Sequence, residues 1–258
     1  MRTWAWIAGV GVVAGSSVAA VVWARGPAMP PAADTPVLVE LFTSEGCSSC
    51  PAADRLLAHL HARQPIAGTD VVALSEHVDY WNRLGWTDPF SDARFTARQE
   101  RYAAQLDARG LYTPQAVIDG RVEVIGNDQP AVLGAVAAAG GHAKARLALT
   151  VAGHGVRLDV TVNGPPSAVA RDLVVVIAED DVTVRVARGE NARKTLRHVG
   201  VARRMIDAGV VAAGQPVSSA VSFDLDPAWP RASLRVVAFA QAGGQGEVSA
   251  IGVAALTR

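Results

Sequence analysis

The stretch Val37-Leu38-Val39-Glu40-Leu41-Phe42-Thr43-Ser44-Glu45-Gly46-Cys47-Ser48-Ser49-Cys50-Pro51-Ala52-Ala53-Asp54-Arg55-Leu56-Leu57-Ala58-His59-Leu60 decides the fold. It opens with an apolar run (Val37, Leu38, Val39, Leu41, Phe42) that ends in a short polar break, Thr43 to Gly46. Ala53, Leu56, Leu57 and Leu60 then recur at the spacing of one helix face. The two cysteines sit where strand gives way to helix. Backbone N–H groups at a helix start lack intrahelical partners and the dipole is positive there, which favours a thiolate at Cys47 over a thiol. Cys50 follows one turn later, near enough to close a small disulfide ring. Strand, C-x-x-C and helix in that order form a redox arrangement.

The rest of the composition agrees. The chain has two cysteines, and both lie in the motif. A zinc ribbon needs two further ligands, and a disulfide scaffold needs more pairs along a shorter chain. An inert bridge is the remaining alternative, but a ring this small removes little unfolded-chain entropy. The length, 258 residues, accommodates a leader and either one large domain or two small ones. With 24 basic and 24 acidic residues the net charge is zero, against the basic excess of a nucleic-acid binder.

Arg2 followed by the uncharged run Trp4 to Ala24 reads as a targeting segment over residues 1–24, either a cleaved signal or a membrane anchor spanning residues 4–24. Either way the rest of the chain is exported: periplasmic, secreted, or held in the inner membrane facing outward. Residues 25–36, rich in Pro and Ala, form a tether. After the motif helix, Thr69 to Ser75 is a strand, which makes a βαβ unit with parallel pairing. Glu76 to Pro89 is irregular, and Asp92 to Leu106 is an amphipathic helix. Ala116 to Asp119 and Val122 to Ile125 form a hairpin, and an Ala-rich helix, Gln129 to Ala139, stops at Gly140-Gly141.

This order resembles that of thioredoxins. Within that superfamily the chain is similar to a bacterial family of secreted thioredoxin-like proteins of unknown function. The resemblance rests on Val39 to Asp54, on His77-Val78-Asp79-Tyr80-Trp81 with Gly85-Trp86, on Tyr112-Thr113-Pro114-Gln115 and on Arg188-Gly189-Glu190-Asn191. It implies an α/β thioredoxin-like domain over residues 37–142, with Pro114 in the cis form facing the disulfide. It also sets Glu40 near the position of a buried acid that moves protons for the resolving cysteine; the alternative is a solvent-facing strand residue. The family itself supplies no reaction.

From Lys144 onward the pattern turns to period-two alternation. Arg146 to Val151, Val156 to Val162, Leu173 to Ala178, Val182 to Val186, Ala220 to Leu225, Leu234 to Gln241 and Val248 to Ala254 are strand candidates. These predict an all-β, Ig-like sandwich as a second domain over residues 143–258. Glu190, Asn191 and His198 are polar residues between its strands.

Cys47 is therefore the expected nucleophile and exposed thiol, and Cys50 the resolving thiol. Pro114 and Thr113 offer backbone to a substrate, and Trp81 and Trp86 either line its groove or cover the core. His77 and Asp79 tune the cysteines, bind a metal with them, or cap the loop. The functional expectation is an exported thiol–disulfide oxidoreductase acting on protein thiols and disulfides with a redox partner. Its redox-active disulfide serves in place of any cofactor or metal. The alternatives are a thiol-based copper-handling protein and a non-catalytic binding protein on a thioredoxin-like scaffold.

Overall fold

The computed structural model describes residues 34–108 and 110–256. The expected targeting segment and residues 25–33 of the expected tether lie outside them. Strand β1 (Thr35–Thr43) begins two residues before the expected folded start and takes in Pro36. Among the described residues no helix is long and apolar enough to cross a membrane.

β1 pairs in parallel with β2 (Thr69–His77), from Thr35 opposite Thr69 to Thr43 opposite His77. Helix α1 (Cys50–Arg63) makes the crossover between them. On the other side of β1 lies β3 (Gln115–Ile118), antiparallel, followed outward by β4 (Val122–Ile125). Helices α2 (Ala93–Gln105) and α3 (Gln129–Gly140) start at aspartates whose carboxylates accept from free amides: Asp92 from Arg94 N at 2.8 Å and Asp128 from Ala131 N at 3.1 Å. Strand alternation then sorts β1 between two faces. Val37, Val39 and Leu41 pack on Leu56, Leu57 and Leu60 of α1 and on Val132 and Val136 of α3. Leu38 clusters with Phe95 of α2, and Phe42 with Tyr102.

The second half departs from the expected division. It contributes β5 (Ala145–Arg146), β6 (Ala148–His154), β7 (Arg157–Gly164), β8 (Arg171–Glu179), β9 (Val182–Arg185), β10 (Thr195–His198), β11 (Val201–Val211), β12 (Val217–Asp224), β13 (Leu234–Ala242) and β14 (Val248–Ala255). Five of these extend the first sheet, giving the order β4-β3-β1-β2-β11-β8-β13-β14-β5. The seam is the parallel contact of β11 with β2 at Val201 opposite Ser75, reinforced by the Ser75 amide donating to Gly200 O at 2.7 Å. Leu38, Val72 and Leu74 share one cluster with Val174, Val176, Val237 and Phe239. A separate three-stranded sheet, β12-β7-β6, covers the opposite face of the added strands. There Leu158, Val160, Val162 and Phe223 meet Leu173, Val175, Ile177 and Val236.

Two sheet layers thus do face each other in this half, but one of them is the central sheet itself. The boundary at residues 142 and 143 separates no two domains, because the residues after the anticipated tether form one compact unit. The physical reason lies in β11. Register shifts between Ala202 and Arg204 and between Asp207 and Val210 interrupt its alternation, so its sequence hides the strand that joins the halves.

Candidate functional site

After β1 the chain turns tightly, with the Cys47 amide donating to Ser44 O at 3.1 Å and the Cys50 amide to Cys47 O at 3.3 Å. Pro51 stands in the first turn of α1, where its missing N–H has no partner to lose. Cys47 and Cys50 are joined in a disulfide with Cα atoms 5.4 Å apart. The Thr113–Pro114 peptide is cis. The Cys47 sulfur lies 3.8 Å from the Thr113 carbonyl oxygen and 3.3 Å from the Ser49 hydroxyl. Trp81 Nε1 donates to Thr113 Oγ1 at 2.8 Å. Cys47, Cys50, Thr113, Pro114 and Trp81 are therefore brought together. The exposure of Cys47 differs from expectation: it is 1% exposed and Cys50 0%, with only Ser48 and Ser49 of the motif open to solvent.

The turn that closes over the motif comes from the far half, between β9 and β10. The buried Asn191 side chain donates from Nδ2 to Glu45 O at 2.9 Å and to Cys47 O at 2.8 Å. Its Oδ1 accepts from Lys194 Nζ at 2.9 Å. Glu190 Oε2 accepts from the Ser48 amide at 2.9 Å, and hydrogen bonds from the Ser48 side chain and amide hold the Glu190 carboxyl below its usual value. Gly189 has φ +76°, and a Cβ there would stand 3.2 Å from Trp86 Cβ, so this approach uses a glycine. Trp86 in turn donates from Nε1 to Glu45 Oε2 at 2.7 Å.

Under the motif lies a buried ionisable cluster of Glu45, Asp54, His77, Asp88 and His198. His77 Nδ1 and Asp88 Oδ2 are 2.7 Å apart, and Asp88 Oδ2 also accepts from the Glu45 amide at 2.8 Å. Burial pulls the His77 pKa down, but the neighbouring Asp88 outweighs it, so the ring holds its proton above the usual value. Burial likewise pushes Asp88 up, and His77 with the amides of Glu45 and Phe90 brings it below the ordinary range. His198 Nε2 is 3.3 Å from Glu45 Oε1, and its Nδ1 is 3.6 Å from Asp54 Oδ2. Thr43 Oγ1 donates to Asp54 Oδ1 at 2.9 Å. Burial raises the Asp54 pKa, with His198 and His77 opposing. Among the described residues Asp54 Oδ2, His77 Nε2 and His198 Nδ1 have no hydrogen-bond partner, so the buried layer holds polar atoms with bonding capacity left over.

Glu40 is buried, as the resemblance implied, but on the other face. Alternation turns it with Leu38 and Phe42 toward α2, where it accepts from Arg98 Nε and the Tyr102 hydroxyl, each at 2.6 Å. Glu76 stands 3.6 Å from the same guanidinium, and its carboxyl is raised well above the usual range by burial and then by Glu40. The acid on the motif side is Asp54, one turn after Cys50 on α1. The i, i+4 spacing was the available signal for it. Glu45, Asp88 and His198 carried no comparable local signal. Asp79 is apart from the cluster: Thr96 Oγ1 donates to its Oδ1 at 2.6 Å and accepts from its amide at 3.2 Å, which ties the loop to α2. Among the described residues no group of three or more His, Cys, Asp or Glu is arranged to hold a metal ion.

Comparison with known proteins places the chain in a family. Residues 38–241 match the family described as "Protein of unknown function (DUF1223)", and the chain belongs to it. The crystal structure of protein AGR_C_4864 from Agrobacterium tumefaciens is similar, at 29% identity and a TM-score of 0.66, over 86% of this chain and 94% of that one. Partial likenesses extend to the sporulation control protein Spo0M of Bacillus subtilis (11% identity, TM-score 0.31, 44% of this chain and 48% of that one). They extend also to the curli protein CsgC of E. coli (11%, 0.21, 43% and 96%). No curated protein matches the chain.

Proposed function

We propose that this family member is an exported thiol–disulfide oxidoreductase built on a thioredoxin-like half. The observation that carries the reading is the Cys47–Cys50 disulfide at the start of α1 with the cis Thr113–Pro114 peptide alongside it. The order β4-β3-β1-β2, with α1 and α3 on one face and α2 on the other, supports the thioredoxin-like part. In the reduced protein the Cys47 thiolate attacks a substrate disulfide, forms a mixed disulfide and releases one substrate thiolate, which takes a proton. Cys50 then gives its proton to Asp54 and attacks the Cys47 sulfur, releasing the second substrate thiol. Two electrons pass to the substrate, and a dithiol donor protein restores the Cys47–Cys50 pair.

A single experiment tests this. Cys50→Ser should accumulate mixed disulfides through Cys47, because attack survives and resolution is lost, whereas Cys47→Ser should accumulate few. Equal trapping by both, or none by either, favours a second reading that the burial of both cysteines supports: a sealed structural bridge on a non-catalytic scaffold.

A further inference from the structure

We infer that Glu190 is a positioning residue that biases the Cys47–Cys50 couple toward the disulfide, so that the reduced protein is a donor of electrons; this rests on the oxidoreductase reading. Three observations converge on the β9–β10 turn. The first is where its carboxylate goes: Glu190 Oε2 takes the amide of Ser48, the residue next to the nucleophile, at 2.9 Å. The second is how firmly it is held. The adjacent Asn191 is fully buried and bonded to the carbonyl oxygens of Glu45 and Cys47, so the turn is anchored on the N-terminal arm of the motif. The third is its place among the charges: Glu45 and Asp54 face the imidazoles of His198 and His77 in the buried layer, and Lys194 Nζ is taken up by Asn191 Oδ1, which leaves Glu190 as the carboxylate bonded at the Ser48 amide itself.

The consequence follows from charge. The disulfide is neutral, whereas reduction creates a thiolate at Cys47. Free amides and the positive helix end would stabilise that thiolate. Glu190 removes one of those amides and adds a negative charge in its place, so it opposes the charged reduced form and leaves the neutral disulfide untouched. A couple whose reduced form is disfavoured has a lower potential and passes its two electrons and two protons to a substrate disulfide more readily. The second half of the chain thus tilts the couple toward electron donation as well as covering the motif.

The test is the reduction potential of full-length protein in defined dithiol/disulfide buffers, together with the Cys47 thiol pKa read from thiolate absorbance. Glu190→Gln keeps the length and an acceptor oxygen for the Ser48 amide but loses the charge. It should shift the equilibrium toward the dithiol by roughly two- to fivefold, the scale of one charge at a helix end, and lower the Cys47 pKa. A threefold shift is about 14 mV for this two-electron couple. Glu190 is exposed, so the difference from wild type should shrink at about 1 M salt, where screening reaches about 3 Å. Glu247→Gln, which removes an exposed partner of Arg121, is the control and should leave the potential unchanged. An unchanged potential in Glu190→Gln, a shift equal to the control's, or a shift insensitive to salt overturns the proposal. Mixed-disulfide trapping reads the oxidoreductase function separately, so either idea can fail while the other stands.

Discussion

Gly200→Ala probes the seam on which the single sheet depends. Gly200 has φ +62°, a region that costs an alanine about 1–2 kcal/mol. Space is shorter still: a Cβ at this position would lie 2.4 Å from the Ala73 carbonyl oxygen and 3.0 Å from Arg235 Nη2. Those two atoms are themselves partners, because Arg235 Nη2 donates to Ala73 O at 2.6 Å. Neither is a free side-chain end. Ala73 O is backbone within β2, and Arg235 is also held through Nε by Asp180 Oδ2 at 3.0 Å. Relieving the clash separates a buried, charge-assisted pair worth about 1.5–3 kcal/mol. The sum is about 2.5–5 kcal/mol, a large share of the stability of a typical domain. Gly209→Ala is the comparison, since Gly209 has φ +95° with nothing within 4 Å of a Cβ and should lose the backbone part alone. Urea denaturation of both variants checks the reasoning. If the two lie within about 0.5 kcal/mol of each other, the close contact between Gly200 and Ala73 is not what the packing requires.

Two further outcomes follow from the same packing. The folded-state pKa of Asp54 is raised by burial above the unfolded 3.8, so its ionisation destabilises the fold as pH rises through the folded value. Asp54→Asn should therefore unfold at a higher temperature than wild type near pH 8, with the advantage vanishing below about pH 4; a variant less stable near pH 8 refutes the assignment. A chain ended after His142 should lack a cooperative urea transition, because it exposes the edge of β2 and strips Val174, Val176, Val237 and Phe239 from Leu38, Val72 and Leu74. A monomer with a sigmoidal transition would show that the first half folds alone.

The elements that could be read from the sequence are those whose signal is local. The run from Val37 to Phe42 and the helical spacing of Ala53 to Leu60 each lie within one element, and each forms as read. Val71-Val72-Ala73-Leu74 also reads as an apolar strand, and β2 forms there, buried on both faces. What a buried run does not carry is the identity of the neighbour on its open edge. That neighbour, β11, contains Arg203-Arg204 and Ala208-Gly209 at its two bulges, so neither face shows a continuous apolar series. Period-two reading of the later strands consequently found two facing layers without detecting that one layer continues through β2.

The site divides along the same line. Cys47, Cys50 and Pro114 announce themselves through spacing and order, whereas which acid lies on their side depends on which way a side chain points. Glu40 and Asp54 are both buried carboxylic acids close to the motif in sequence, and pleat parity sends Glu40 to Arg98 while one helical turn brings Asp54 beneath Cys50. The remaining contributors come from far along the chain. Asn191 reaches the Cys47 carbonyl across 144 residues, and His198 reaches Glu45 across 153. No periodicity within a window can report such contacts, which come from the β9–β10 pair that precedes β11 in the chain. The carboxylate beside the Cys47–Cys50 loop and the side-chain amide that holds the Glu45 and Cys47 carbonyl oxygens therefore come from the half that joins at the seam. A variant that weakens Gly200 at that seam should alter the redox equilibrium as well as the stability.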